Sequence, residues 1–155
     1  FADETPQQKR LRTLACTLSD SGSYDHPEYR TEQTYQRILR SHGVGFDHPA
    51  RAFIGLTLAV RYEVQMDAPL IEPSRRLLTK VEIERAVRLG LALRLAYTLC
   101  GGTVELLEEC RLFVEDNKLV LTLGARSVRA AGSAVRRRFE RLAAAMKLEW
   151  QVREE

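Results

Sequence analysis

The 155-residue chain lacks most of the patterns on which site chemistry is usually built. Its three histidines and three cysteines form no CxxC, HxxxH or HExxH spacing. A zinc or other transition-metal site needs three or four such ligands converging, so sequence spacing supports none. Cys16, Cys100 and Cys110 are odd in number and widely separated, which points to a reducing cytoplasm, each thiol serving as a small apolar core residue. There is no signal peptide, internal repeat or low-complexity segment. The longest apolar run, residues 81–100, is interrupted by Glu82, Glu84, Arg85, Arg88 and Arg94, which excludes a membrane span. Gly43 and Gly45 give a GxG without a third glycine or a flanking strand, so no phosphate-binding fingerprint follows. Ser19 and Asp20 are neighbours whose side chains diverge, and no histidine is fixed beside the serine, so they make no catalytic triad. A formal net charge of +3 is too small to imply a nucleic-acid partner by itself. The chain opens on Phe1 rather than Met, so it is expected to be a piece of a longer polypeptide, with missing residues carrying chemistry.

The apolar periodicity predicts a run of helices and then a change of period. Residues 7–18 place Leu11, Leu14, Ala15 and Leu18 on one helical face. A polar loop around Pro27 leads to a second helix, about 31–41, with Tyr35, Ile38 and Leu39 inward and Gly43 at its end. Asp47 caps a third helix, about 49–64, with Pro49 in the first turn, where its missing N–H costs nothing. Residues 65–76, with Pro69 and Pro73, are expected to be an irregular linker. Residues 81–100 are expected to form the central buried helix, closed by Gly101-Gly102. The period then becomes two. Residues 111–115 and 119–123 flank Asp116-Asn117-Lys118 as a β-hairpin, with Cys110, Leu112, Val114, Leu119, Leu121 and Leu123 on one face. A helix at 133–146 follows, with Val135, Phe139, Leu142 and Met146 inward. The alternation of Leu148, Trp150 and Val152 gives a third short strand. The expected fold class is mainly α with a small α+β part, one sheet face being covered by helices.

Charge is uneven. Residues 1–76 balance ten basic against ten acidic side chains. Between 125 and 147, seven basic residues (Arg126, Arg129, Arg136, Arg137, Arg138, Arg141 and Lys147) face Glu140 alone. Guanidinium forks match phosphate oxygens, and clustering them focuses a positive potential. The competing reading is a solvated helix face with pairs such as Arg136–Glu140. The patch has no aromatic interleaving that would favour base stacking, Phe139 belonging to the inward stripe, so a partner would be a polyanion read by charge. The histidines sit in two DHP triplets, Asp25-His26-Pro27 and Asp47-His48-Pro49, which read as helix caps before they read as metal ligands; His42 lies between them.

The order and spacing of LACTLSDSGSYDHPEYRTEQTYQRIL (14–39), GVGFDHPARAFIGLTLAVRYE (43–63) and ERAVRLGLALRLAYTL (84–99) resemble the C-terminal half of the Ppx/GppA phosphatase family, the exopolyphosphatases and guanosine pentaphosphate phosphohydrolases. The resemblance covers essentially the whole chain. It implies an HD-like helical bundle over 1–76, followed by a C-terminal helix-strand-strand-helix-strand subdomain over 77–155. An HD phosphohydrolase carries a His-Asp pair where this chain has Ser19-Asp20, and family members with a His after Arg-Tyr have it where this chain has Glu63. Only Asp20 matches, so the metal site is expected to be degenerate.

The same resemblance places catalysis, with its Mg²⁺, in an upstream module with the actin-like ATPase fold. It implies that this half supports a homodimer and guides inorganic polyphosphate, with no membrane and no specific nucleic acid involved. Within that reading, Arg136, Arg137, Arg138 and Arg141 are selected for the polyphosphate-binding surface from charge clustering alone. The isolated chain is then expected to be inactive. The rival readings are a guanosine pentaphosphate phosphohydrolase, a stand-alone HD-type metal hydrolase, and a non-catalytic binding module.

Overall fold

Three signals set the first helix. Thr5 Oγ1 accepts from Gln8 N at 3.2 Å, Gln8 Oε1 accepts from Thr5 N at 3.0 Å, and Pro6 follows the cap. This reciprocal capping box satisfies two donors that a helix start leaves orphaned. In the computed structural model, which describes residues 4–42 and 46–154, α1 runs Pro6–Thr17, α2 Arg30–Leu39 and α3 His48–Arg61. Asp47 caps α3 as expected, Oδ1 accepting from Ala50 N at 2.8 Å. The helix end expected at Gly43, and the Gly43/Gly45 pair, lie outside the described residues.

The segment expected to be a linker is folded. Pro69–Ile71 form a 3-10 turn and Glu72–Leu77 form α4, with Pro73 in its first turn. Ile71 and Ser74 are fully buried, and α4 packs on α3. Proline breaks a helix interior but not a first turn, so its two occurrences here start short helices rather than exclude them.

α5 spans Lys80–Cys100, its start fixed by a second reciprocal cap between Thr79 and Glu82. α3 is the most buried helix among residues 4–90, with Ala50 and every residue from 52 to 61 buried, while Val81 of α5 is 72% exposed. Charge decides this rather than the length of the apolar run. Placing the glutamates and arginines of α5 inside would strand charges, whereas α3 carries only Arg51 and Arg61. Each large apolar side chain buried on α3 contributes roughly 1.5–3 kcal/mol. Two glycines bring helices close. Gly55 faces the Tyr35 ring, and Gly90 lies against Thr57 and Val60.

The chain divides into two compact units, Phe1–Gly90 and Leu91–Glu155, the division falling inside α5. In the second unit, Gly101 (φ 56°) and Gly102 (φ 88°) close α5 in left-handed conformations. A short α6, Val104–Glu108, precedes β1, Cys110–Glu115. Asp116 and Asn117, with φ of 47° and 61°, form a two-residue turn into β2, Lys118–Leu123. Positive φ at both central residues is the geometry whose twist suits a hairpin, and Asp and Asn tolerate it.

Next come α7, Ala125–Ala130, and α8, Ser133–Met146. Lys147, at φ 58°, turns the chain into β3, Glu149–Glu154, parallel to β2. Sheet order is β1-β2-β3. The hairpin and the third strand match the sequence reading; α6 and α7 were not anticipated. The expected apolar face exists, but only its β2 half is buried. Leu112 and Val114 of β1 are 43% and 55% exposed. β1 is an edge strand, and α8 packs on β3, where Phe139 meets Trp150 edge-to-face at 6.0 Å. β2 is buried on both faces, Val120 and Thr122 included. The described residues are 61% helical, in eight helices, with one small sheet: mainly α with a small α+β part.

Candidate functional site

The basic cluster of the second unit is built on α8, whose buried stripe is Val135, Phe139, Leu142 and Ala143. At about 100° per residue, that stripe fixes where each arginine lies. Arg137 and Arg141 are exposed and lie roughly opposite the stripe, one turn apart, with no ion pair among the described residues. Arg138 lies on one flank and is half-buried. Arg136 lies on the other, donating to Glu140 Oε1 at 3.2 Å with its guanidinium 5.0 Å from the Trp150 ring centroid. The four arginines selected from sequence therefore do not share a face. Two form an outward pair, and Arg136 already has an anion and an aromatic ring as partners.

The arginines of α7 also separate. Arg126 is paired with Glu109, and its guanidinium holds that carboxyl below the usual range. Arg129 is exposed and makes no ion pair among the described residues. Arg129, Arg137 and Arg141 thus carry charge that no neighbouring carboxylate offsets. Such cations can meet phosphate oxygens without first breaking a pair. Between α7, α8 and the sheet lies an apolar groove of about 280 Å³, lined by Leu121, Leu123, Val135, Phe139 and Trp150.

The second region of interest is the Asp20 corner in the first unit. The chain from Leu18 to Asp25 is a succession of turns held by Ser21 N to Leu18 O, Ser23 N to Asp20 O and Asp25 N to Gly22 O. Asp20 Oδ1 accepts from Arg61 Nη2 at 2.6 Å. The Ser19 carbonyl accepts from the Tyr62 hydroxyl at 2.9 Å. Glu63 adopts φ 69° just past α3.

The histidines are dispersed. His26 Nδ1 accepts from Glu28 N at 3.3 Å, and His48 Nδ1 lies 2.7 Å from Arg51 Nη2. Asp25 pairs with Arg37 instead of capping α2. Among the described residues, no three His, Cys, Asp or Glu side chains converge as a metal site would require. Of the three thiols, Cys100 is buried, Cys110 is half-buried and Cys16 is exposed, so the core role expected for all three fails for Cys16.

Sequence reasoning missed Arg61. The signal was present: an arginine ending the apolar run LTLAV has its side chain on a buried helix and so requires an anion, and Asp20, lacking the histidines of a metal site, was available.

The fold thus defines a two-unit, mainly helical chain with a small mixed sheet and an outward basic ridge. The family model described as "Exopolyphosphatase, C-terminal" matches residues 2–150, and the chain belongs to that family. No curated protein matches it. No helix among the described residues is long and apolar enough to cross a membrane.

Proposed function

We propose that this chain is the C-terminal region of a cytoplasmic exopolyphosphatase, a hydrolase of the terminal phosphoanhydride bonds of inorganic polyphosphate. Hydrolysis belongs to an upstream catalytic module, and this region holds the polyanion. Mg²⁺ bound in that module would neutralise phosphate charge during the reaction. The role of this chain is electrostatic and positional. The observation that carries it is the outward set of Arg129, Arg137 and Arg141, none offset by a carboxylate among the described residues. Guanidiniums one helical turn apart can meet successive phosphates of a flexible chain without reading a base. A guanosine pentaphosphate phosphohydrolase of the same family would use the same ridge. The HD-like character of the first unit belongs to this reading, as does homodimer formation, for which the exposed apolar side chains Leu112, Val114, Trp150 and Val152 offer a surface.

The test is a comparison of ligands and of turnover. The chain is expected to bind polyphosphate with an affinity that falls steeply with salt, and to release no phosphate from it. Equal affinity for single-stranded nucleic acid at the same ionic strength would favour a general binding module. Phosphate release near the rate of a complete enzyme would contradict the proposal.

A further inference from the structure

Asp20 is 66% exposed on its side chain, yet the cation that meets it is 2% exposed. A guanidinium stays charged at any ordinary pH. This one is fixed by its surroundings: its carbon lies 4.4 Å from the Tyr62 ring centroid. Tyr62 in turn ties down the loop, its hydroxyl donating to Ser19 O at 2.9 Å and accepting from Gly22 N at 3.1 Å. Ser23 Oγ donates to Asp20 Oδ1 at 3.3 Å. Carboxylate, turns and guanidinium form one assembly.

A metal site of the HD type would require the same carboxylate to ligate a divalent ion beside histidines. The family resemblance implies that Ser19 and Glu63 stand where such histidines would be. An ion at ligand distance from Asp20, roughly 2.1–2.6 Å, would also sit beside a fixed guanidinium that already holds an oxygen of that carboxylate. Like charges that close repel, and the guanidinium itself is shielded from water. The donor set does not fit a metal.

We propose that the Arg61 guanidinium is the resident cation of the Asp20 corner. It neutralises the carboxylate and holds the 19–25 turns to α3, as a divalent ion would in an HD-type site. This inference rests on the HD-like reading of the first unit and is independent of polyphosphate binding by α8.

Mn²⁺ binding to the 155-residue chain, read by electron paramagnetic resonance, tests it. Wild type and Asp20→Asn are expected to bind Mn²⁺ equally weakly. Arg61→Met, close in volume but uncharged, is expected to bind about tenfold more tightly, since the repulsion is gone and the carboxylate is free. Arg61→Lys should behave as wild type, and adding Asp20→Asn to Arg61→Met should erase the gain. Stoichiometric Mn²⁺ on the wild type that Asp20→Asn abolishes would overturn the proposal, as would a folded Arg61→Met with no gain. If Arg61→Met fails to fold, the wild type and Asp20→Asn pair decides alone: equal weak binding supports the proposal, and loss on substitution overturns it.

Discussion

The Tyr35 hydroxyl lies 2.8 Å from Ser74 Oγ, with both residues fully buried, joining α2 to α4. The direction of that bond is determined by its neighbours. Ser74 Oγ donates its one proton to Ala52 O at 3.0 Å, so the tyrosine donates to Ser74; its oxygen also accepts from Ser74 N at 3.3 Å. Every polar group in the network is satisfied, which is what makes a buried network stabilising rather than costly. Tyr35→Phe would orphan the Ser74 N–H and one lone-pair site of its hydroxyl. A loss of about 1–3 kcal/mol is expected in urea unfolding. An unchanged midpoint would show that α4 is not held this way.

The contact of α5 with α3 predicts a second effect. A Cβ added at Gly90 would lie 2.5 Å from Thr57 O and 2.7 Å from Val60 Cβ. Neither a helical carbonyl nor a β-branched Cβ can swing aside. Gly90→Ala should therefore lower stability by about 1–3 kcal/mol, despite alanine's better helix propensity. A stabilised variant in thermal unfolding would place the helices farther apart than described.

Part of the acid sensitivity should lie at the start of α1. Glu4 bridges Arg12, at 2.9 Å, and Arg85, its side chain 7% exposed. Arg12's hydrogen bond, with help from both guanidiniums, holds its carboxyl below the ordinary carboxylate range. The folded pKa lies below the unfolded one, so the folded state binds fewer protons. The stabilisation is complete above the unfolded value, about 4.3, and is lost as pH falls through the folded one. Glu4→Gln should flatten that part of the stability–pH curve. Parallel curves for the two proteins below about pH 4.3 would contradict the assignment.

Removing the anion that meets the buried Arg61 should cost more than breaking an ion pair exposed on both sides. Asp20→Ala removes the carboxylate that meets the buried Arg61 guanidinium, and a loss of about 1–2 kcal/mol is expected, Asp20 itself being largely exposed, against a smaller loss for Arg76→Ala on the surface. Similar losses for the two, measured by urea unfolding, would show Arg61 to be compensated elsewhere.

Much of the fold was legible because its devices are local. Asp47 before a proline, Asp116-Asn117 between alternating strands, and Gly101-Gly102 after an apolar run each dictate backbone geometry by themselves. What was misjudged depended on tertiary competition. The 81–100 run is longer than α3, yet its first turn is exposed at Val81 whereas α3 is buried along almost its whole length. Pro69 and Pro73 suggested a linker, because proline signals both helix starts and breaks. The site was legible as a count of arginines and illegible as a surface. Only the helix phase set by Phe139 and Leu142 separates Arg137 and Arg141 from Arg136, which Glu140 and Trp150 already engage. Arg61 was hidden because its partner lies 41 residues away.

The most direct test of the account is polyphosphate binding by charge variants of α8, followed by fluorescence anisotropy at fixed low salt. Arg137→Glu with Arg141→Glu should weaken binding at least about tenfold and reduce the salt dependence, roughly one unit of slope per lost phosphate contact. Arg136→Ala should change binding by less than about twofold, because that guanidinium is already engaged. Unaltered binding by the Arg137/Arg141 variant, or an equal loss with Arg136→Ala, would contradict the assignment of the outward ridge as the polyanion surface.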